Sequence, residues 1–319
     1  MRRARHRIRH KPRVRAYVAI AIVAVLGLVL VITRAPTNSS SAPTTTFSIK
    51  VGANARSFGF YLDVGASSSL GTQPIPSRTE GYSNDLVRLE AARGVGLTLK
   101  EVGCPGETSQ SVLLRGPVAH IKLMQSRCYH GGPGQLAQAR KFLLQQRANM
   151  GVVTIDIGFN DIRPCINSST VDQSCFATGL GQVRANLPVL ISELRRSAGP
   201  KVHFVGLLYA DPFVADYLAG STTARARAAL TLRDMSQLNT VLTGAYRAQG
   251  VAVADIPEAY HSGDSTPTNL KPYGTIPTNV KYACLYTWIC TSDHDDHANA
   301  LGYAAEAVVI LKALPATLP

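Results

Sequence analysis

The first residue that could carry chemistry is a serine in a glycine-rich turn. Ser67 lies in the string GASSSLG, directly after an apolar run that is typical of a strand. At such a turn a serine can present its hydroxyl and its own backbone N–H to a substrate. A plain serine-rich turn is the alternative interpretation of the same string.

Three further segments combine a turn with glycine, asparagine or histidine. The string VGCPGET contains Gly106, where the absence of a side chain lets a substrate approach the backbone N–H closely. The string IGFND ends on Asn160 and Asp161, again after an apolar run. The acidic string DHDDH ends on His297, just before the last helix candidate. Each segment alone is also compatible with an ordinary turn.

Apolar runs and amphipathic stretches alternate along the chain and predict the elements that position these segments. The strand candidates are residues 58–64, 96–102, 152–157, 202–208 and 251–256. The helix candidates are residues 84–92, 135–149, 181–197 and 224–249, with a last helix that closes the chain. This rhythm predicts βαβ units and an α/β fold, a three-layer α/β/α sandwich with a mostly parallel sheet of about five strands. Sites in such sheets lie at the carboxyl ends of the strands.

Three local features complete this outline. The i, i+3, i+4, i+7 spacing in the last helix predicts a buried face made of Leu301, Ala304, Ala305 and Val308. Residues 262–277 are rich in Pro, Thr and Gly and are predicted to be a long loop. Tyr209, just after the fourth strand candidate, is a candidate for lining the site, although a strand-ending turn explains it equally well.

The order and spacing of the four segments resemble those of the SGNH hydrolases, also called GDSL esterases/lipases. The pattern is a Gly-x-Ser turn, a glycine turn about 40 residues further on, a Gly-x-Asn-Asp string and a late histidine, and it covers residues 57–313. Four more strings resemble the secreted, disulfide-bearing bacterial branch of that family: GY at 81–82, CPGET at 104–108, QL at 135–136 and WIC at 288–290.

The resemblance implies a flavodoxin-like fold and ester chemistry at a serine, without a cofactor. By match to the family motifs, Ser67 is the nucleophile and His297 the general base, which takes the serine proton and returns it to the leaving alcohol. Ser67 and Gly106 would contribute backbone N–H groups, and Asn160 its side-chain amide, to the oxyanion that develops in the tetrahedral state.

The sequence departs from the family pattern at two positions. Ala66 stands where the family usually has an aspartate before the nucleophile, a position that supports the loop more than the chemistry. The acid that orients the histidine usually lies three residues before it, and here that position is His294. We expect Asp295 to take this role, with Asp293 as second choice and a backbone carbonyl as third. We expect Asp296 to cap the last helix.

The DHDDH string also invites a metal interpretation, because histidine and carboxylate side chains are metal ligands. Four adjacent residues at a helix start do not easily converge on one ion, and no distant His/Glu motif completes the set. We therefore predict no metal site at this string.

The net charge of +13 is concentrated at the start of the chain. Nine of the 33 basic residues lie at or before Arg34, whereas all 20 acidic residues follow it. The remainder is weakly basic and shows no basic stripe with interleaved aromatic residues, so nucleic-acid binding is not expected.

The uncharged, apolar run at residues 16–33 is long enough to span a membrane. It predicts a single-pass signal anchor between a basic cytoplasmic head at 1–15 and a Ser/Thr/Pro linker at 34–46, which leads to an extracytoplasmic domain at 47–319. A cleaved signal peptide, which would give a secreted protein, is the alternative; the run is longer than usual for one and lacks a clean small-x-small cleavage site.

All six cysteines follow the linker, on the side predicted to be oxidising. An even number there predicts three disulfides. Many connectivities are possible, and the clustering in sequential pairs favours Cys104–Cys128, Cys165–Cys175 and Cys284–Cys290. Zinc is the alternative ligand for such a set, but the sequence contains no Cys-x2-Cys pair.

These features predict a membrane-anchored, extracytoplasmic serine esterase or lipase that hydrolyses carboxylic esters through an acyl-serine intermediate. Its substrate would be a small ester, a lipid or an acylated glycan. Two alternatives remain open: an acetyl- or acyltransferase or deacetylase acting on cell-envelope glycan, and a non-catalytic carbohydrate- or lipid-binding protein on the same fold.

Overall fold

The computed structural model describes residues 57–75, 80–167, 170–316 and 318. The chain divides into two units, Met1–Ser48 and Ile49–Pro319. The predicted basic head, membrane anchor and linker lie outside the described residues. Within the part of the chain that is described, no helix is both long enough and apolar enough to cross a membrane.

A five-stranded parallel sheet forms the centre of the larger unit. Its strands are β1 (Ser57–Gly65), β2 (Val95–Glu101), β3 (Gly151–Asp156), β4 (Val202–Leu207) and β5 (Ala252–Ala254). They lie in the order β2-β1-β3-β4-β5, which is the flavodoxin-like order. Every pair in the sheet is parallel. The predicted five-stranded α/β fold is therefore confirmed.

Helices cover both faces of this sheet. They are α1 (Tyr82–Ala92), α2 (Val118–Met124), α3 (Gln135–Gln145), α4 (Phe159–Ile162), α5 (Gln173–Ser197), α6 (Thr222–Ala248), α7 (Ile256–Ala259), α8 (Thr278–Tyr286) and α9 (Ala300–Ala313). Phe60, Leu62 and Val64 of β1 pack into the core shared with α3, α5 and α6. Tyr61, which points the other way along the strand, packs into the core shared with α1 and α9. The two cores make the fold a three-layer sandwich.

The predicted buried face of the last helix is wrong. Leu301 and Val308 are 57% and 39% exposed, whereas Tyr303, Ala307 and Ile310 are buried against the sheet. Helix α9 is apolar on almost every side, so the helical spacing fits more than one face. Tertiary packing therefore decides which face of the helix is buried. On the buried face, the Tyr303 hydroxyl donates a hydrogen bond of 2.8 Å to the carbonyl of Thr72.

Two other segments differ from the sequence-based prediction. The region 262–277 is not simply a loop, because it contains an antiparallel hairpin of β6 (Pro267–Leu270) and β7 (Gly274–Pro277). Helix α5 begins well before residue 181. Asp172 caps it by accepting hydrogen bonds from two backbone N–H groups of its first turn, so the glycines near residue 180 lie inside the helix rather than before it.

The six cysteines form three disulfides, Cys104–Cys128, Cys165–Cys175 and Cys284–Cys290. Each joins residues that are close in sequence, with separations of 24, 10 and 6 residues. They hold loops and helix ends, and the Cys165–Cys175 disulfide packs into the core shared with α3, α5 and α6. Disulfides are typical of proteins from oxidising compartments.

A buried carboxyl lies on β1, just below the turn that carries Ser67. Asp63 is fully buried and accepts hydrogen bonds from the hydroxyls of Tyr82 at 3.1 Å, Thr154 at 2.8 Å and Ser83. Burial raises the pKa of Asp63 from 3.8 to about 8, although the hydroxyl donors act in the opposite direction. At neutral pH this carboxyl therefore holds its proton in the folded protein.

We expect the buried Asp63 to make the protein less stable as the pH rises. Because its folded-state pKa lies above its unfolded value, its contribution to stability is complete below pH 3.8 and is lost as the pH rises to about 8. The slope for one such group is at most about 1.4 kcal/mol per pH unit. Urea unfolding at several pH values between these limits measures it, and Asp63→Asn should flatten the decline. An unchanged pH dependence in this variant contradicts the prediction.

Candidate active site

The candidate nucleophile lies at the carboxyl end of β1. Ser67 precedes a short 3-10 turn, and its carbonyl accepts the N–H groups of Leu70 at 3.2 Å and Thr72 at 3.1 Å. The buried Ser69 hydroxyl donates to the carbonyl of Ala66 at 2.8 Å. The Ser69 side chain thus stabilises the turn by a hydrogen bond inside it. This bond supports the loop at the position where Ala66 has no carboxylate to do so.

The candidate oxyanion donors come from two neighbouring turns. Gly106 has φ +87°, a backbone conformation that residues other than glycine rarely adopt. The turn that presents its backbone N–H therefore favours glycine at this position. The Asn160 side-chain amide donates a hydrogen bond of 3.1 Å to the carbonyl of Glu107. One N–H of the amide is thus fixed, and its second N–H remains for a ligand. Among the described residues, no backbone carbonyl accepts the N–H of Ser67 or Gly106.

Asp161 fastens these two turns together. Its buried carboxylate accepts hydrogen bonds from the backbone N–H of Ser109 at 2.8 Å and from the Ser109 hydroxyl at 2.6 Å. Burial raises the pKa of Asp161 to about 6, against the effect of the two Ser109 donors. The turn that follows β3 and the turn that follows β2 are therefore held at a set distance from each other.

His297 and Asp295 form a direct hydrogen bond. The Nδ1 atom of His297 lies 2.7 Å from Oδ1 of Asp295, and the same oxygen accepts the backbone N–H of His297 at 2.9 Å. Burial acts to lower the pKa of His297, but contact with Asp295 outweighs it and raises the pKa above the ordinary value. Burial acts to raise the pKa of Asp295, but the hydrogen bonds from His297 outweigh it and lower this pKa below its ordinary value. The pair thus favours an imidazolium next to a carboxylate.

The neighbouring aspartates lie further from the ring nitrogen than Asp295 does, and Oδ1 of Asp296 is 3.7 Å from Nδ1 of His297. Asp293 is exposed, and its backbone N–H donates to the Thr291 hydroxyl. The prediction that Asp296 caps the last helix is wrong, because α9 starts at Ala300 and its cap is Asn299, which accepts the N–H groups of the first turn. The Asp296 carboxylate instead forms an ion pair with Arg163, from the segment after Asn160. The reason is that backbone hydrogen bonds hold the chain just before the helix against the end of α8: the carbonyl of His297 accepts the N–H of Trp288 at 3.1 Å, and the N–H of Asn299 donates to the carbonyl of Tyr286 at 2.9 Å.

Three side chains of the types that bind metal ions lie close together in the DHDDH string, contrary to the expectation from the sequence. Donor atoms of Asp295, Asp296 and His297 lie within 4.8 Å of one another. Each carboxylate already has a protein partner, since Asp295 binds the His297 ring and Asp296 binds Arg163. This arrangement fits an oriented histidine better than a metal ligand set.

A cavity of about 70 Å³ lies beside Ser67 and Asn160. Tyr209 lines it, as the sequence suggested, and sequence reasoning missed two further lining residues, Asp156 and Glu306. Asp156 ends β3 and is its only charged residue, and Glu306 is the only acidic residue of the apolar helix α9. A lone carboxyl in an apolar element is the signal that could have identified both.

Comparisons with known proteins place the fold. No family model matches the chain, and no curated protein matches it. The structure is similar to an extracellular lipase from Streptomyces rimosus, with a TM-score of 0.50 and 18% identity over 80% of this chain and 100% of that one. It is also similar to a lipase from a goat rumen metagenome, with a TM-score of 0.51 and 16% identity over 80% of this chain and 97% of that one. The chain therefore has the fold of these two lipases.

Proposed function

We propose that this protein is an extracytoplasmic serine esterase of the SGNH type, which hydrolyses carboxylic esters through an acyl-serine intermediate. The observation that carries the proposal is the 2.7 Å hydrogen bond between Asp295 and His297. The chain neighbours of His297, Asp296 and Ala298, line the same cavity as Ser67 and Asn160. The fold shared with two lipases supports it. The three disulfides support an extracytoplasmic site, and the apolar run at 16–33 supports a membrane anchor.

In the first half-reaction, the Ser67 hydroxyl attacks the ester carbonyl while His297 takes its proton. Negative charge develops on the carbonyl oxygen, where the N–H groups of Ser67 and Gly106 and the second amide N–H of Asn160 stabilise it. Asp295 holds the imidazole and stabilises the imidazolium that forms. The tetrahedral state then collapses, and the leaving alcohol takes the proton from His297.

The second half-reaction releases the acyl group. A water molecule gives a proton to His297 and attacks the acyl-Ser67 carbonyl, and the same N–H groups stabilise the second tetrahedral state. Collapse of this state breaks the bond to Ser67, whose oxygen recovers the proton from His297. The products are a carboxylic acid and the free enzyme, so no cofactor enters the reaction.

We expect Ser67→Ala to abolish ester hydrolysis and leave the fold intact, because Ser67 contributes only its carbonyl to the turn. Ser68→Ala is the matched control, since Ser68 is the next residue of the turn and lines the same cavity. Turnover of para-nitrophenyl esters, labelling by a fluorophosphonate probe and circular dichroism check this. Normal turnover in Ser67→Ala refutes the mechanism, and a folded wild-type protein that is neither active nor labelled contradicts the proposed function and favours the non-catalytic alternative.

Asn160→Ala should lower kcat by about 10²–10³, the usual loss for one oxyanion donor. The effect should fall on kcat rather than KM, because the amide meets the charge of the transition state and not the neutral carbonyl. The substitution also removes the 3.1 Å hydrogen bond to Glu107, so the melting temperature is measured in parallel. A loss confined to KM would show that Asn160 binds substrate without stabilising an oxyanion.

Asp295→Asn should lower kcat by up to about 10⁴, since the amide cannot hold the required tautomer of His297. The activity requires neutral His297, so kcat/KM rises with pH through the pKa of this residue, which the carboxylate raises. Removing the carboxylate should therefore move this limb of the pH profile to lower pH.

Asp293→Asn is the matched control for this variant, because Asp293 is exposed and nearby. Its activity and pH profile should match those of the wild type. The assignment of Asp295 is falsified if Asp293→Asn is the damaging change and Asp295→Asn is silent. If both variants are silent, a backbone carbonyl orients the ring.

A further inference from the structure

We propose that Glu107 is a positioning residue for the oxyanion donors, because its buried carboxyl group ties the turn that carries Gly106 to the turn that carries Ser67. The inference rests on the proposed function and adds a residue that the mechanism above does not use. It is drawn from the burial of Glu107 and from the hydrogen bonds of its side chain and its main chain.

The carboxyl group of Glu107 is enclosed by protein and held by two buried donors. Glu107 follows Gly106 in the chain and is 1% exposed. Its Oε2 atom accepts hydrogen bonds from the Tyr129 hydroxyl and, at 3.2 Å, from the side-chain amide of Gln135. Both donor residues are buried. Since a buried carboxyl group costs free energy unless donors satisfy it, these two bonds favour one position of the side chain.

The amide of Gln135 joins Glu107 to the nucleophile turn. A primary amide carries two N–H groups, so it can serve two acceptors at once. Besides Glu107, Nε2 of Gln135 donates at 2.9 Å to the carbonyl of Gly65, which ends β1 two residues before Ser67. The backbone N–H of Cys104 donates to the same carbonyl at 3.2 Å. Because Gln135 is the first residue of α3, the link is held by a helix that packs on the sheet.

The main chain of Glu107 contacts the other two candidate donors. Gly106 precedes it directly, so the N–H of Gly106 moves with Glu107. The carbonyl of Glu107 accepts the 3.1 Å hydrogen bond that fixes the amide of Asn160. A displacement of Glu107 would therefore shift one oxyanion donor and release another. A misplacement of about 1 Å in a catalytic site can cost about 100-fold in rate.

Glu107 acts in this arrangement through other residues. It is not among the described residues that line the cavity beside Ser67. A merely structural carboxyl group would stabilise the turn without affecting the reaction of the folded protein. A positioning group, in contrast, lowers the free energy of the transition state, because it holds the donors where the negative charge develops. The two roles therefore differ in kcat and not only in the melting temperature.

Glu107→Ala should lower kcat for para-nitrophenyl butyrate by about 10- to 100-fold and leave KM nearly unchanged, because displaced donors weaken binding of the transition state and not of the neutral ester. The affinity for propyl trifluoromethyl ketone should fall by the same factor. In that adduct the Ser67 oxygen bonds to the ketone carbon, its proton passes to His297, and the new oxyanion lies at the donors. The full chain is used, and its melting temperature is measured in parallel.

Glu107→Gln is the conservative variant, because its amide oxygen can still accept the hydrogen bonds from Tyr129 and Gln135. It should restore most of the kcat that Glu107→Ala loses. Glu90→Ala is the matched control, since Glu90 is also 1% exposed but pairs with Arg93, at 3.4 Å, rather than with either turn. This control should lower the melting temperature and leave the kcat of the folded protein unchanged.

A second test combines Glu107→Ala with Asn160→Ala. If both residues act on the same oxyanion, the double variant should lose less kcat than the product of the two single losses. Single losses that multiply in full overturn the inference. An effect of Glu107→Ala that is confined to the melting temperature or to KM overturns it as well. Either result leaves the proposed function standing.

If Glu107→Ala does not fold, Gln135→Met decides the proposal. This variant removes the link from Glu107 to Gly65 and keeps the approximate size of the side chain. It should lower kcat and the affinity for the ketone together, and an unchanged kcat in the folded variant overturns the inference. A folded wild-type protein that hydrolyses no ester and is not labelled at Ser67 by the fluorophosphonate probe refutes the proposed function itself.

Discussion

The candidate site depends on the parallel pairing of β1 with β3. That pairing aligns Gly65 with Asp156, so the turn after β1 and the turn after β3 leave the sheet side by side at the same edge. Ser67 and Asn160 lie in these two turns. A slip of one residue would move the apolar side chains of β1 out of their core and bring Asp63 into it, so the register is strongly specified.

A polar network beneath the turns joins them to the sheet. The Ser83 hydroxyl contacts both the Asp63 carboxyl and, at 3.0 Å, the carbonyl of Ser69 in the nucleophile turn. The Tyr82 hydroxyl lies between Asp63 on β1 and Asp156 on β3. Buried carboxyls are costly unless they are hydrogen-bonded or protonated. Here both carboxyls accept hydrogen bonds, and burial raises the pKa of each. The network therefore fixes the turn from below without placing an isolated charge in the core.

Polar contacts between distant segments then set the geometry above the sheet. The Asp161–Ser109 contact, the Asn160–Glu107 contact and the Asp296–Arg163 ion pair join residues that are 52, 53 and 133 positions apart. The last of these connects the histidine string to the segment that follows Asn160, and Arg163 also stacks over the ring of Phe213 at 4.9 Å. Hydrogen-bond donors that are held in place before the reaction need no rearrangement when charge develops.

The sequence by itself determined the strands, most of the helices and the fold class, because the alternation of apolar runs and amphipathic stretches is a local property. Short motifs also indicated Ser67, Gly106, Asn160 and His297 as candidates. Only the tertiary structure decided which face of α9 is buried, since that helix is apolar on almost every side. It also separated the three aspartates before His297, because the path of the backbone brings the Asp295 carboxylate to 2.7 Å from the ring. Asp156 and Glu306 are 150 positions apart in the sequence, and only the fold places them around one cavity. No local sequence pattern encodes this proximity.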